Sequence, residues 1–202
     1  MKFSNRFIRA NGDMCDFGHP VNAPYLRRAF TLDFIPQVAE ITICGLGFYE
    51  LTVNGVNVTK GPLAPYINST DDVCYYDHYN ILPYLRQGEN AIGILLGNGF
   101  RNPFGGFVWD FEKSAQRGPV CVALCLETKN ATQSLCIEGD EQFMTHPSPI
   151  LFDDIRMVAT TTRASRSRAG ISPASTRAIG RPPSPAPPRR ASHGCATPTR
   201  SW

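Results

Sequence analysis

Asp71, Asp72, Asp77, His78 and Glu89 are the residues of this chain whose types could serve as general acid and base. Glycoside hydrolysis needs two carboxyl groups held roughly 5–9.5 Å apart across a sugar cleft. Their spacing builds no such cleft, and turn and edge positions carry acids for solubility, so we read them as surface groups. Cys121 and Cys125 stand four apart, which on a strand puts both on one face. Zinc would want two more ligands nearby, so the pair reads as small buried side chains and no metal is expected. The dinucleotide fingerprint, the Walker loop, His-Glu-x-x-His and Gly-x-Ser-x-Gly are all missing. Gly45-Leu46-Gly47 follows a strand, but Phe48-Tyr49-Glu50 continues as strand instead of opening a helix. No cofactor is expected.

The polar stretch that invites a binding role is Gly97–Asp110, where three phenylalanines and a tryptophan alternate with Gly, Asn and Arg. Such rings are costly to leave in water. They form either a loop-borne minicore or a surface for a ligand or partner domain. For a sugar, Phe100 or Trp109 would supply the stacking ring, and Asn98, Arg101 and Asp110 the donors and acceptors for hydroxyls.

These residues need a scaffold, and the pattern around them is that of short strands. Tyr25–Phe34, Val38–Gly45, Phe48–Asn54, Ala91–Leu96, Val120–Glu127 and Gln133–Ile137 are apolar or alternating runs bounded by turn residues. Asn54-Gly55 is the strongest hairpin signal, with Val56–Thr59 returning. Val73–Asp77 begins another run, and Asn80–Leu85 suits one helical turn or a tight loop. No 10–15-residue amphipathic segment links the strands, so parallel βαβ architecture is disfavoured. The expected class is all-β, an antiparallel sandwich or jelly roll.

Composition breaks at Arg156–Met157. Residues 157–202 hold eight arginines, seven prolines and no acid; residues 1–156 hold all 17 acids against 12 basic side chains. The formal charge of +3 therefore sums −5 and +8. We expect an N-terminal extension over 1–24, a sandwich over 25–156 and a disordered, dispensable tail over 157–202. The tail's composition is that of a GC-rich coding region read out of frame; the alternative is a basic interaction tail, although nucleic acid is not an expected partner. No apolar run is long enough to span a membrane. The seven cysteines are odd in number and mostly sit in apolar runs. With no secretory signal at the N-terminus, they are read as buried free thiols of a cytoplasmic protein.

Tyr25–Phe30, Ala39–Gly55, Leu63-Ala64-Pro65, Tyr76-Asp77, Leu85–Gly93 and Leu96–Phe100 occur in an order that resembles the N-terminal accessory domain of bacterial α-L-rhamnosidases, glycoside hydrolase family 78. The family more often has tryptophan at the place of Phe100. Ser148-Pro149-Ile150 and Phe152–Arg156 resemble the close of that module. The resemblance implies a sandwich placed before a helical (α/α)₆ barrel, whose acidic residues hydrolyse terminal α-L-rhamnosides with inversion. The Gly-Glu and Tyr-Asp-Ala-Arg motifs that usually follow in the family give way here to Met157-Val158-Ala159-Thr160. The resemblance thus implies a non-catalytic module, truncated before the barrel, that packs on that partner and contributes to recognition of rhamnose-containing glycosides. Two other readings are an independent carbohydrate-binding module and the α-L-rhamnosidase itself.

Overall fold

The computed structural model describes residues 2–16, 18–61, 63–67, 70, 72–103, 117–155, 157–161 and 184–185. The tail beyond 161, apart from 184–185, lies outside the described residues, as do Asp71, Trp109 and Asp110.

One sheet is built from β1 (Ile8–Arg9), β3 (Val38–Leu46), β6 (Asp77–Asn80), β8 (Cys121–Lys129), β9 (Ser134–Glu138) and β13 (Ser184–Pro185), in the order β13-β1-β8-β3-β6. β1 and β9 share one edge of β8, β1 opposite Val122 and β9 along Cys125–Lys129. The second sheet holds β2 (Pro24–Leu32), β4 (Phe48–Val53), β5 (Val56–Asn57), β7 (Gly88–Gly97) and β10 (Met144–Pro147), in the order β10-β2-β7-β4-β5. β11 (Ile150–Asp154) pairs with β12 (Met157–Thr161) as a separate ribbon. The described pairings are antiparallel, and no α-helix occurs among the described residues.

Period-two placement of side chains sets the two layers, with β7 and β8 buried on both faces. Ile41 and Ile43 of β3, Val122, Leu124 and Leu126 of β8, and Ile137 of β9 point into one core. They meet Leu26 of β2, Tyr49, Leu51 and Val53 of β4, and Ile92, Ile94 and Leu96 of β7. The chain passes between sheets at Gly47, whose φ is +113°. A Cβ there would come within 2.6 Å of the Gly97 carbonyl oxygen and 2.8 Å of Val120, so the corner closes only around glycine.

Asn54 and Gly55, at φ 50° and 84°, form the expected tight hairpin turn. Asn54 also ties that turn to the neighbouring corner: its amide donates to the Tyr84 carbonyl (2.7 Å) and to Asn90 Oδ1 (2.9 Å). The helical turn is a single 3₁₀ turn over Leu82–Tyr84. Three boundaries differ from expectation. The strand near residue 75 is Asp77–Asn80 and not Val73–Asp77, because pairing with β3 starts at Asp77. β7 begins at Gly88, where Thr31 and Leu32 of β2 still offer partners. The described residues before β2 are integrated with the sandwich: Ile8 and Ala23 are buried, and the Thr42 hydroxyl donates to the Lys2 carbonyl.

Strand β12 lies past the compositional break, and its backbone pairs Asp154 with Met157 and Ile150 with Thr161. A chain ending at Thr161 should therefore melt a few degrees above one ending at Arg156. A loss of about 1 kcal/mol moves the midpoint of a domain this size by roughly 2–8 °C. Equal midpoints in thermal unfolding would show that β12 adds nothing to the fold.

Candidate functional site

The polar loop leaves β7 at Gly97 and is locked from three sides. Asn98 is fully buried and uses every polar atom of its amide. Nδ2 donates to the Val21 carbonyl (2.7 Å) and to Asp153 Oδ1 (3.0 Å), and Oδ1 accepts from Asn102 Nδ2 (3.1 Å). Its carbonyl accepts from the backbone of Arg101 and Asn102, turning the loop back on itself. Asn102, also buried, accepts from the Cys15 amide (2.9 Å) and donates to the Asp13 carbonyl (3.2 Å). Asp153 of β11 completes the lock, its Oδ2 accepting from the Gly99 amide at 3.0 Å. Burial raises the Asp153 carboxyl above its ordinary range, against the lowering effect of the Gly99 and Asn98 donors. The N-terminal segment, the β7 loop and β11 are thus joined by side-chain amides and one carboxylate.

Phe100 is 1% exposed and meets Phe48 edge-to-face at 5.5 Å between centroids. Its ring is a packing wedge here, with no face open to a sugar. Gly99 lets the two rings approach, since a Cβ there would fall 2.6 Å from the Phe48 ring. Arg101 is half-buried and donates to Thr70 Oγ1 at 3.3 Å. Arg117 returns from beyond the loop to donate to the Cys15 and Pro103 carbonyls. Of the five residues singled out for binding, Asn98, Phe100 and Arg101 share this end of the sandwich, and Trp109 and Asp110 lie outside the described residues. Asn102, which holds the loop, lies within the Gly97–Asp110 stretch but was not singled out in it, and Asp153 was marked only as part of the Phe152–Arg156 motif.

The described candidates Asp72, Asp77, His78 and Glu89 do not converge here. Asp77 accepts from the Tyr49 hydroxyl, which lies 3.0 Å from the Tyr79 hydroxyl. That group bridges β4 and β6 across the two sheets, and burial holds the Tyr49 phenol far above its usual range. His78 faces Glu40 at 3.4 Å, Asp72 is exposed, and Glu89 sits in β7. Cys121 and Cys125 are buried on one strand, as their spacing implied. Cys136, by contrast, is exposed, and its sulfur lies 3.7 Å from that of Cys125. Burial, then the neighbouring Cys136, pushes the Cys125 thiol up to about 12. A shallow depression at the opposite end of the strands is lined by Phe34, Ile35, Gln87 and Asn130–Gln133.

Two antiparallel sheets closed at one end by a hydrogen-bonded loop define an all-β module of the sandwich class. The chain belongs to the family of α-L-rhamnosidase N-terminal domains, which matches residues 36–160. An α-L-rhamnosidase of Formosa agariphila is 37% identical over 139 residues, 66% of this chain but 14% of that protein. The chain thus spans a small share of its relative. The α-L-rhamnosidase of Streptomyces avermitilis, solved in complex with L-rhamnose, shares the fold with a TM-score of 0.75 at 21% identity, over 83% of this chain and 16% of that one. The enzyme of Aspergillus terreus does so with a TM-score of 0.69 at 22% identity, over 77% and 18%.

Because its folded pKa is raised, Asp153 favours folding most when protonated. That contribution is full below the unfolded value of about 3.9 and is lost as pH rises through the folded value. Denaturant unfolding from pH 4 to 7 should therefore show wild-type stability falling relative to Asp153→Asn. Asp153→Ala should cost about 1–3 kcal/mol, since it strands the Gly99 and Asn98 donors. A flat difference between wild type and Asp153→Asn would mean that the carboxylate is not desolvated.

Proposed function

We propose that this chain is a non-catalytic accessory module of an α-L-rhamnosidase, that it packs on the catalytic barrel, and that its loop end contributes to carbohydrate recognition. The observation that carries this reading is the family match over 36–160 in a chain spanning 14% of a full-length relative. The remaining length of that relative has room for a catalytic domain. The buried Asp153 carboxylate supports a structural role, since it is taken up by the protein's own donors. Exposed apolar side chains support a partner surface. Leu63, Tyr66, Ile67, Val73 and Tyr75 all lie on the connection between β5 and β6, with Tyr66 84% exposed. A cluster of this kind on one segment suits contact with another domain.

At the loop end, Arg101 and the segment carrying Trp109 and Asp110 are the groups proposed to meet sugar, with Phe100 and Asn98 holding the loop from within. Inverting hydrolysis demands two positioned carboxyl groups. Purified chain incubated with an aryl α-L-rhamnoside is expected to release no nitrophenol above a matched blank; sustained turnover would contradict the non-catalytic reading. Titration of L-rhamnose, followed by amide chemical shifts, should perturb residues around Arg101 and Thr70. Saturable shifts confined to another face would move the sugar site, and no shifts up to tens of millimolar would leave the structural role alone.

A further inference from the structure

The outer face of the first sheet carries a donor group that the accessory reading leaves unused. In the β8–β9 pairing Cys125 stands opposite Glu138 and Glu127 opposite Cys136. Cys125, Cys136 and Glu138 therefore share one face, while Leu124, Leu126 and Ile137 between them point into the core. The two sulfurs are 3.7 Å apart, and with a Glu138 carboxylate oxygen they form a triangle with no side longer than 4.8 Å. A tetrahedral zinc site with Zn–S bonds near 2.3 Å sets its sulfurs roughly 3.8 Å apart. The sulfurs already stand at that separation, and the carboxylate needs only a small side-chain adjustment.

A cation already stands at the cluster. Lys2 Nζ is 3.4 Å from the Cys136 sulfur and 3.6 Å from Glu138 Oε1. The Lys2 side chain is 52% exposed, so its ammonium sits at the solvent edge and can swing away. Cys125 anchors the buried side of the triangle, while Cys136 and Glu138 open it to solvent and give an ion its path in. The diagonal placement also matters. Cys125 and Cys136 are offset by two residues along the ladder, and such diagonal neighbours stand about 7–8 Å apart at the backbone. A disulfide usually needs a Cα separation under roughly 7 Å, whereas a bridging metal ion spans a wider gap.

We propose that Cys125, Cys136 and Glu138 bind one thiophilic divalent cation of the zinc class, with solvent in the fourth position and Lys2 displaced. Binding forms two metal–sulfur bonds and one metal–oxygen bond. Each thiol gives up its proton to solvent, so two protons leave per ion. The lysine stays charged, and no electron is transferred. The ion would staple β9 to β8 at the edge where β9 has no other described strand beside it.

The full chain, reduced and stripped of metal, is titrated with Co²⁺ as the spectroscopic probe. The expected result is intense visible absorption of a tetrahedral thiolate complex, saturating at one equivalent and bleached by Zn²⁺, with two protons released per ion. Cys125→Ser and Cys136→Ser should each abolish the thiolate-to-cobalt band, and Glu138→Gln should weaken binding about tenfold. Lys2→Ala should tighten it several-fold, and this exposed position leaves the fold untouched if Cys125→Ser does not. Cys15, Cys44, Cys74, Cys121 and Cys195 remain in every variant as an internal control for nonspecific thiol binding. Absence of the band in the reduced chain, or a band that persists in Cys136→Ser, would overturn the assignment. A Cys125–Cys136 disulfide found in the isolated chain, with no cobalt band after its reduction, would overturn it in favour of a redox pair.

Discussion

Two sheets must bury their inner faces against each other, and almost every other feature of this chain follows from that requirement. Ile92, Ile94 and Leu96 on β7 can leave water only if Ile41, Ile43, Leu124 and Leu126 come over them. A face-to-face pair of this kind needs chain crossings between the layers. The crossing at Gly47 is so tight that Gly97 and Val120 leave no room for a side chain. Those crossings fix where the β7 loop emerges. The Asn98–Asp153 network then makes this end of the sandwich a closed, hydrogen-bonded cap. Tyr49, Asp77 and Tyr79 secure the β4–β6 margin in the same way, with a buried polar group linking the two sheets.

The sandwich was legible in the sequence wherever an apolar or alternating run is bounded by turn residues. β4 alternates, β7 and β8 are near-continuous apolar runs, and Asn54-Gly55 names its turn type outright. β10, β11 and β12 were not legible, for a physical reason. β10 buries only Thr145, so an edge strand of mixed exposure leaves no period to read. β11 carries Asp153 and Asp154, residues depleted in strands, because here a carboxylate serves as an acceptor for a distant loop. The compositional break at Arg156 marks a change in residue usage but not the end of backbone pairing, which β12 continues.

The candidate site was legible as a location but not as a mechanism. Interleaved aromatics and amides marked Gly97–Asp110 as a segment that must pack or bind. The inward placement of Phe100 against Phe48, and of Asn98 against Val21 and Asp153, depends on partners 52 to 77 residues away. The thiol cluster shows the same limit. Spacing pointed from Cys125 to Cys121 along one strand, whereas the ladder register brings Cys136 to it from the next. Parity assigns a face from sequence; only register assigns a neighbour.

If the facing apolar stripes hold this module together, the amides of its central strands should be its most protected. Native-state hydrogen exchange on the isolated chain measures this directly. The account predicts that β3, β7 and β8 exchange slowest, through global opening, with the Gly99 amide protected through Asp153. Uniformly fast exchange across those strands would contradict it, showing that the sandwich does not fold without the rest of a parent protein.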